Sequence, residues 1–172
     1  MWGERMQSGI RCFAGANTAR GFVSGFDGVF SGRRRVFYIK GAPGVGKSGL
    51  MRRVAGRQRA AGHAVSLFSC SSDPDSLDGI VDETLDVAML DATSPHAYDP
   101  LLPGARDILL NLGEFLDCDA LSGDVSRLEE LRARTAECFR NACAYLTAAE
   151  AIRSAVRPAG DFRKPENDLK AL

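Results

Sequence analysis

The sequence predicts an α/β domain: a mainly parallel sheet with flanking helices and a C-terminal helical segment. Three observations predict it. Residues 36–39 (Val-Phe-Tyr-Ile), 65–70 and 87–90 are short β-rich apolar runs, the pattern of strands buried on both faces. A helical pattern lies between the first two of them. From about residue 104 onward the apolar spacing turns helical. Strand, helix and strand, followed by helices, is the element order of an α/β domain with a helical appendage. The 172 residues suit one domain, expected to bury roughly 70% of its unfolded-chain surface.

In chain order, residues 10–14 read as a short strand and residues 15–18 as a turn. Phe22, Val23, Phe26, Val29 and Phe30 have a spacing closer to helix than strand. The strand over 36–39 ends at Lys40 and a glycine-rich loop. Residues 47–59 place Leu50, Met51 and Val54 on one side and Arg52, Arg53, Arg57 and Arg59 on the other. Gly62 is a natural helix stop. Residues 71–79 form a polar loop. Residues 104–116 place Ile108, Leu109, Leu112 and Phe115 at helical spacing. A longer helix is expected over about 126–156, and a polar tail over 158–172. The domain division is therefore 1–157, with its helical part about 104–157, and then the tail.

The loop carries the chemistry. Gly41, Ala42, Pro43, Gly44, Val45, Gly46, Lys47 and Ser48 match G-x-x-x-x-G-K-[ST] at every fixed position, between a strand and a helix. Glycines let successive N–H groups turn inward around an anion, and the helix adds its positive end. Lys47 is the ammonium for the β- and γ-phosphates, and Ser48 the hydroxyl for Mg²⁺. This motif makes the predicted fold P-loop NTPase-type. It makes the predicted function ATP binding and Mg²⁺-dependent ATP hydrolysis.

A phosphate loop needs a second metal handle. Asp91 ends an apolar strand, where the C-terminal strand ends of an open α/β sheet form a ligand crevice. Ser48 and Asp91 are the expected metal ligands. Ala92 follows, where many hydrolytic relatives of this motif carry a glutamate. The catalytic base therefore stays open among Asp73, Asp75, His96 and Glu114. Lys47, Asp91 and His96 form the expected catalytic set. The plain alternative for Asp73, Asp75 and Asp78 is turn and cap duty. A small-molecule kinase, with Asp73 or Asp75 orienting the acceptor, is the second reading. A nucleotide-gated interaction module using residues 126–156 is the third, weighed against simple packing of that helix on the domain.

Charge excludes less than its sum suggests. The net charge is zero, yet residues 1–62 hold 12 Lys/Arg against 2 Asp/Glu. Residues 63–130 hold 2 against 15. Only four of the 22 cations are lysines, one of them Lys47. Arg33, Arg34 and Arg35 form a basic run without aromatic interleaving, so no nucleic-acid partner is expected. No apolar run approaches the ~20 residues of a membrane span, and a cytoplasmic location is expected. The five cysteines are irregularly spaced, with no CxxC. They read as reduced thiols, mostly buried.

Several strings are distinctive together: residues 13–18 (Phe-Ala-Gly-Ala-Asn-Thr), the loop 41–48, residues 70–79 (Cys-Ser-Ser-Asp-Pro-Asp-Ser-Leu-Asp-Gly), residues 90–96 and residues 111–115. Over about residues 10–150 the chain resembles the first half of a poorly characterised bacterial family, mainly from Firmicutes, of P-loop ATPase-like, ATP-binding proteins. The resemblance implies nucleotide binding at 41–48 and a metal or water role near Asp91. Family members carry two such halves in tandem. With no strand expected after Asp91, the chain is expected to pair with a second copy or a separate second half.

Overall fold

The computed structural model describes residues 9–93 and 97–156. Its centre is a six-stranded sheet. The elements in chain order are β1 (Arg11–Phe13), β2 (Gly15–Thr18), β3 (Gly21–Ser24), α1 (Phe26–Phe30), β4 (Arg35–Lys40), α2 (Lys47–Ala60), β5 (Val65–Ser69), β6 (Leu77–Asp82), β7 (Val87–Asp91) and β8 (Asp107–Asn111). A 3₁₀ turn (Leu112–Phe115), α3 (Cys118–Ser122) and α4 (Val125–Val156) follow. The sheet order is β1-β5-β6-β7-β4-β8, with β2 and β3 forming a separate antiparallel pair.

The fold class needs correcting. β1 with β5, β4 with β7 and β4 with β8 are parallel, but β6 is antiparallel to both β5 and β7. Five strands run the same way and β6 alone is reversed, so the sheet is mixed and the expected P-loop NTPase-type sheet does not form. The cause is local. Only residues 83–86 join β6 to β7, too few for the crossover that parallel neighbours require. Asp82 Oδ1 accepts from the N–H groups of Thr84 and Leu85, at 3.0 and 2.9 Å, and Asp86 takes φ 54° to close the turn.

Two further expectations change. Residues 15–18 are β2, not a turn, and the helical stretch expected over 22–30 divides into β3 and α1. Residues 104–116 are not a helix: β8 pairs in parallel with β4 from Val36↔Asp107 to Lys40↔Asn111. With β8 in place, a strand does follow Asp91, which removes the missing-strand argument for a partner.

The sheet carries an apolar layer on each face. On one side Phe26 and Phe30 of α1 meet Val36, Tyr38, Phe68, Val81 and Leu90. On the other, Met51 and Ala55 of α2 meet Ile39, Val65, Leu77, Ile80 and Met89. Gly79 is obligatory for the first layer, because a Cβ there would overlap the Phe30 ring. The basic and acidic segments meet across this fold. Arg33 pairs with Glu83 at 2.9 Å and Asp86 at 3.3 Å, and Lys40 pairs with Asp99 at 2.9 Å. Arg33 therefore anchors the β6–β7 turn.

Candidate functional site

The site is built where β4 ends and α2 begins. Gly41, Gly44 and Gly46 take φ values of 154°, 85° and 97°, a region that side-chain-bearing residues rarely adopt. At Gly41 the space is closed as well: a Cβ would lie 2.8 Å from Val45 Cγ1 and 3.3 Å from Leu112 Cβ. Gly46 sits at the N-cap of α2, and no side chain caps that end. The first N–H groups of α2 thus lack the usual side-chain acceptor, and the positive end of the helix faces the loop.

Lys47, the first residue of α2, folds back into the loop and is only 8% exposed. Its Nζ donates to the carbonyls of Gly41 at 2.6 Å and Ala42 at 3.1 Å, and lies 3.5 Å from Asp91 Oδ2. Asp91 reaches this position because β7 lies beside β4 in parallel, with Ile39 opposite Asp91. Two elements far apart in sequence thereby bring an ammonium and a carboxylate to one loop. Ser48 Oγ accepts from the Leu77 N–H at 3.0 Å, tying the start of α2 to β6.

Thr93 belongs to the same cluster and was not among the expected residues. Its Oγ1 donates to the Gly41 carbonyl at 3.1 Å, and its N–H donates to Asp91 Oδ1 at 2.9 Å. Asp91 is thus held on one oxygen by backbone, leaving the other toward Lys47. The signal available in the sequence was only its place two residues after Asp91, the short offset at which an aspartate accepts from the backbone.

The remaining candidates separate. Asp73 is committed to its own turn: Oδ1 accepts from the Asp75 N–H at 3.2 Å and Oδ2 from the Ser76 hydroxyl at 2.6 Å. Asp75 lines a cleft of about 400 Å³ with Arg11, Arg52, Leu67 and Leu77. Glu114 is exposed in the 3₁₀ turn. His96 lies outside the described residues. His63, the other histidine, is structural, its Nδ1 2.7 Å from Asp82 Oδ2. Comparison with protein-family models, curated proteins and solved structures finds no match for this chain.

The cysteines differ from expectation in burial, not in redox state. All five are free thiols and none is buried; Cys118 and Cys138 are exposed. Burial pushes the Cys70 thiol above its ordinary value and the nearby Asp78 carboxylate adds to this, so Cys70 is not an activated thiolate. Among the described residues no group of three or more His, Cys, Asp or Glu is arranged to hold a metal ion. A divalent cation here would have to combine Ser48 and Asp91 with oxygens from a bound ligand, the pattern Mg²⁺ adopts with phosphates. No helix among the described residues is long and apolar enough to cross a membrane.

Proposed function

We propose that the chain binds ATP with Mg²⁺ at the 41–48 loop and hydrolyses it slowly. One observation carries this reading: a buried lysine opens an uncapped helix beneath a loop of three positive-φ glycines, within 3.5 Å of a strand-end carboxylate. An ammonium already desolvated and held by two carbonyls can exchange those partners for phosphate oxygens without further dehydration. The loop N–H groups and the α2 N-terminus take the phosphate charge. Ser48 and Asp91 would hold Mg²⁺, which would supply charge neutralisation for the phosphates. Thr93 keeps Asp91 oriented toward the loop. The reading stands on the site and not on the sheet order, since similar sites recur on different folds.

The test is calorimetric titration of the full chain with Mg²⁺-ATP. Lys47→Ala is expected to weaken binding by about a hundredfold, the size of one or two charge-assisted hydrogen bonds. Unchanged affinity in a variant with an unaltered circular dichroism spectrum overturns the site.

A kinase reading is favoured by one observation. The cleft lined by Asp75, Arg11 and Arg52 includes Leu77, whose N–H is bonded to Ser48. It places a carboxylate and two guanidinium groups beside the loop, a set suited to a hydroxyl-bearing anionic acceptor. ATP turnover that rises only with such an acceptor supports this reading. Turnover indifferent to every acceptor supports the ATPase.

A further inference from the structure

α4 runs for 32 residues, about 48 Å at 1.5 Å per residue, and every residue in it except Cys143 is exposed. Its apolar side chains are large and open: Leu131 is 42% exposed, Ile152 65% and Tyr145 77%. Leu128, Leu131, Tyr145, Ile152 and Val156 fall on the a and d positions of a heptad, and Val125, Phe139 and Leu146 fall at the adjoining e position. The a positions fall at Leu128, Thr135, Ala142, Ala149 and Val156. The d positions fall at Leu131, Cys138, Tyr145 and Ile152. Four consecutive heptads with one polar a position make the seam of a coiled coil.

Among the described residues nothing covers this seam. Where α4 meets β2, the Thr147 hydroxyl lies 3.0 Å from the Ala19 carbonyl and 2.9 Å from the Cys143 carbonyl, which share its one proton. Thr147 occupies an f position, on the side of the helix opposite a and d. The half-buried Cys143, at b, lies toward that same side. The apolar seam faces away, and a groove of about 490 Å³ runs along it between Leu131 and Ala142.

The flanks identify the partner. In a coiled coil the e and g positions meet the partner's flanks and set its identity. Here they hold Arg127, Arg132, Arg134 and Arg153, with Phe139, Leu146 and otherwise small or uncharged residues, and no carboxylate. All four glutamates of α4 sit at b or c. Glu130 at c offsets part of the charge, lying 2.7 Å from Arg127 and 3.8 Å from Arg134, so two guanidinium groups share one carboxylate. A second copy of α4, parallel or antiparallel, would bring arginine or neutral side chains to these flanks and never a carboxylate.

We infer that the seam of α4 docks an amphipathic helix from a different polypeptide, with apolar a and d positions and acidic e and g positions. This docking is independent of nucleotide binding at the 41–48 loop, which lies on other elements.

The test titrates the full chain with two synthetic 28-residue helical peptides. Both carry Leu at a and d; one has Glu at every e and g, the other Lys. The Glu peptide, which repels itself, is expected to bind at least about tenfold more tightly than the Lys peptide, with affinity falling as salt rises. The double substitution Arg132→Glu and Arg134→Glu, with helicity checked by circular dichroism, is expected to narrow or reverse that preference. Equal affinity for the two peptides, or binding of neither, overturns the inference. So does a stable dimer of the chain at micromolar concentration, seen by sedimentation equilibrium, that the Glu peptide leaves intact, because the seam would then belong to a second copy.

Discussion

α2 and α4 both carry large apolar side chains, and they use them in opposite ways. α2 is 14 residues long and buries Met51 and Ala55 against β5, β6 and β7. α4 is more than twice that length and buries nothing. The difference teaches that an apolar stripe says a helix will be covered but not by what. For α2 the cover is the sheet, and the 41–48 loop leads directly into that packed helix. For α4 the cover is absent from the described chain, and the arginine flanks become the informative feature. The comparison can be broken by truncating side chains on the two helices in turn.

The largest effect belongs to α2. Met51 is fully buried, among Ile39, Ala55, Val65, Leu77, Ile80 and Met89. Met51→Ala is expected to lower unfolding free energy by about 3 kcal/mol, the lost transfer energy plus a cavity. Urea unfolding of both proteins measures it. A loss below about 1 kcal/mol would mean that α2 is not packed as a core helix.

An intermediate effect lies at the far end of the sheet. Asp107 is buried at the start of β8. Its oxygens accept from Arg106 Nε at 2.7 Å and from the N–H groups of Leu101 and Leu102, both at 2.8 Å. The Arg106 guanidinium first, and these N–H groups next, hold its carboxyl down at about 2 against the opposing effect of burial. A carboxyl lowered on folding stabilises the fold fully above its ordinary value, and that stabilisation is lost as pH falls toward 2. Asp107→Asn is therefore expected to cost about 2 kcal/mol at pH 7. The gap between variant and wild type should close between about pH 4 and pH 2. Denaturant melts across that range check it, and a gap independent of pH would refute the charge as its origin. The pairing of Asp107 with Val36, at the opposite end of β4 from the loop, predicts unchanged ATP affinity.

How much of this was legible follows from the same chemistry. The unit from β4 through the loop to α2 was readable because its signals agree: an apolar run, a fixed glycine spacing, then an amphipathic period. Its contact with Asp91 was readable because an aspartate at the end of an apolar strand is conspicuous. β6 was not readable. It is fully buried yet contains Asp78, Gly79 and Asp82, residues that argue against a strand. Tertiary partners reverse the argument. His63, Thr84 and Leu85 satisfy Asp82, and the Phe30 ring occupies the space over Gly79. Missing β6 hid the antiparallel pairs and with them the true sheet class. β8 was misread for a related reason. It is an edge strand, with Leu109 exposed and Leu110 half-buried, and its short apolar run is ambiguous between the two periods.

The smallest effect is the sharpest test of the comparison. Leu131 stands at a d position of α4 with 42% of its surface open, and no buried residue lies against it within its own helix. Leu131→Ala removes side-chain carbons that are in part open to water and substitutes a better helix former. The two changes nearly offset, so the stability of the isolated chain should move by less than about 0.5 kcal/mol. The same change should weaken the Glu-flanked peptide by about tenfold, because only in the complex does that side chain leave water. Stability and binding thus part company at Leu131 but not at Met51, whose truncation destabilises the fold before any partner arrives. A stability loss at Leu131 comparable to that at Met51 would place an intramolecular cover over the seam and erase the distinction between the two helices.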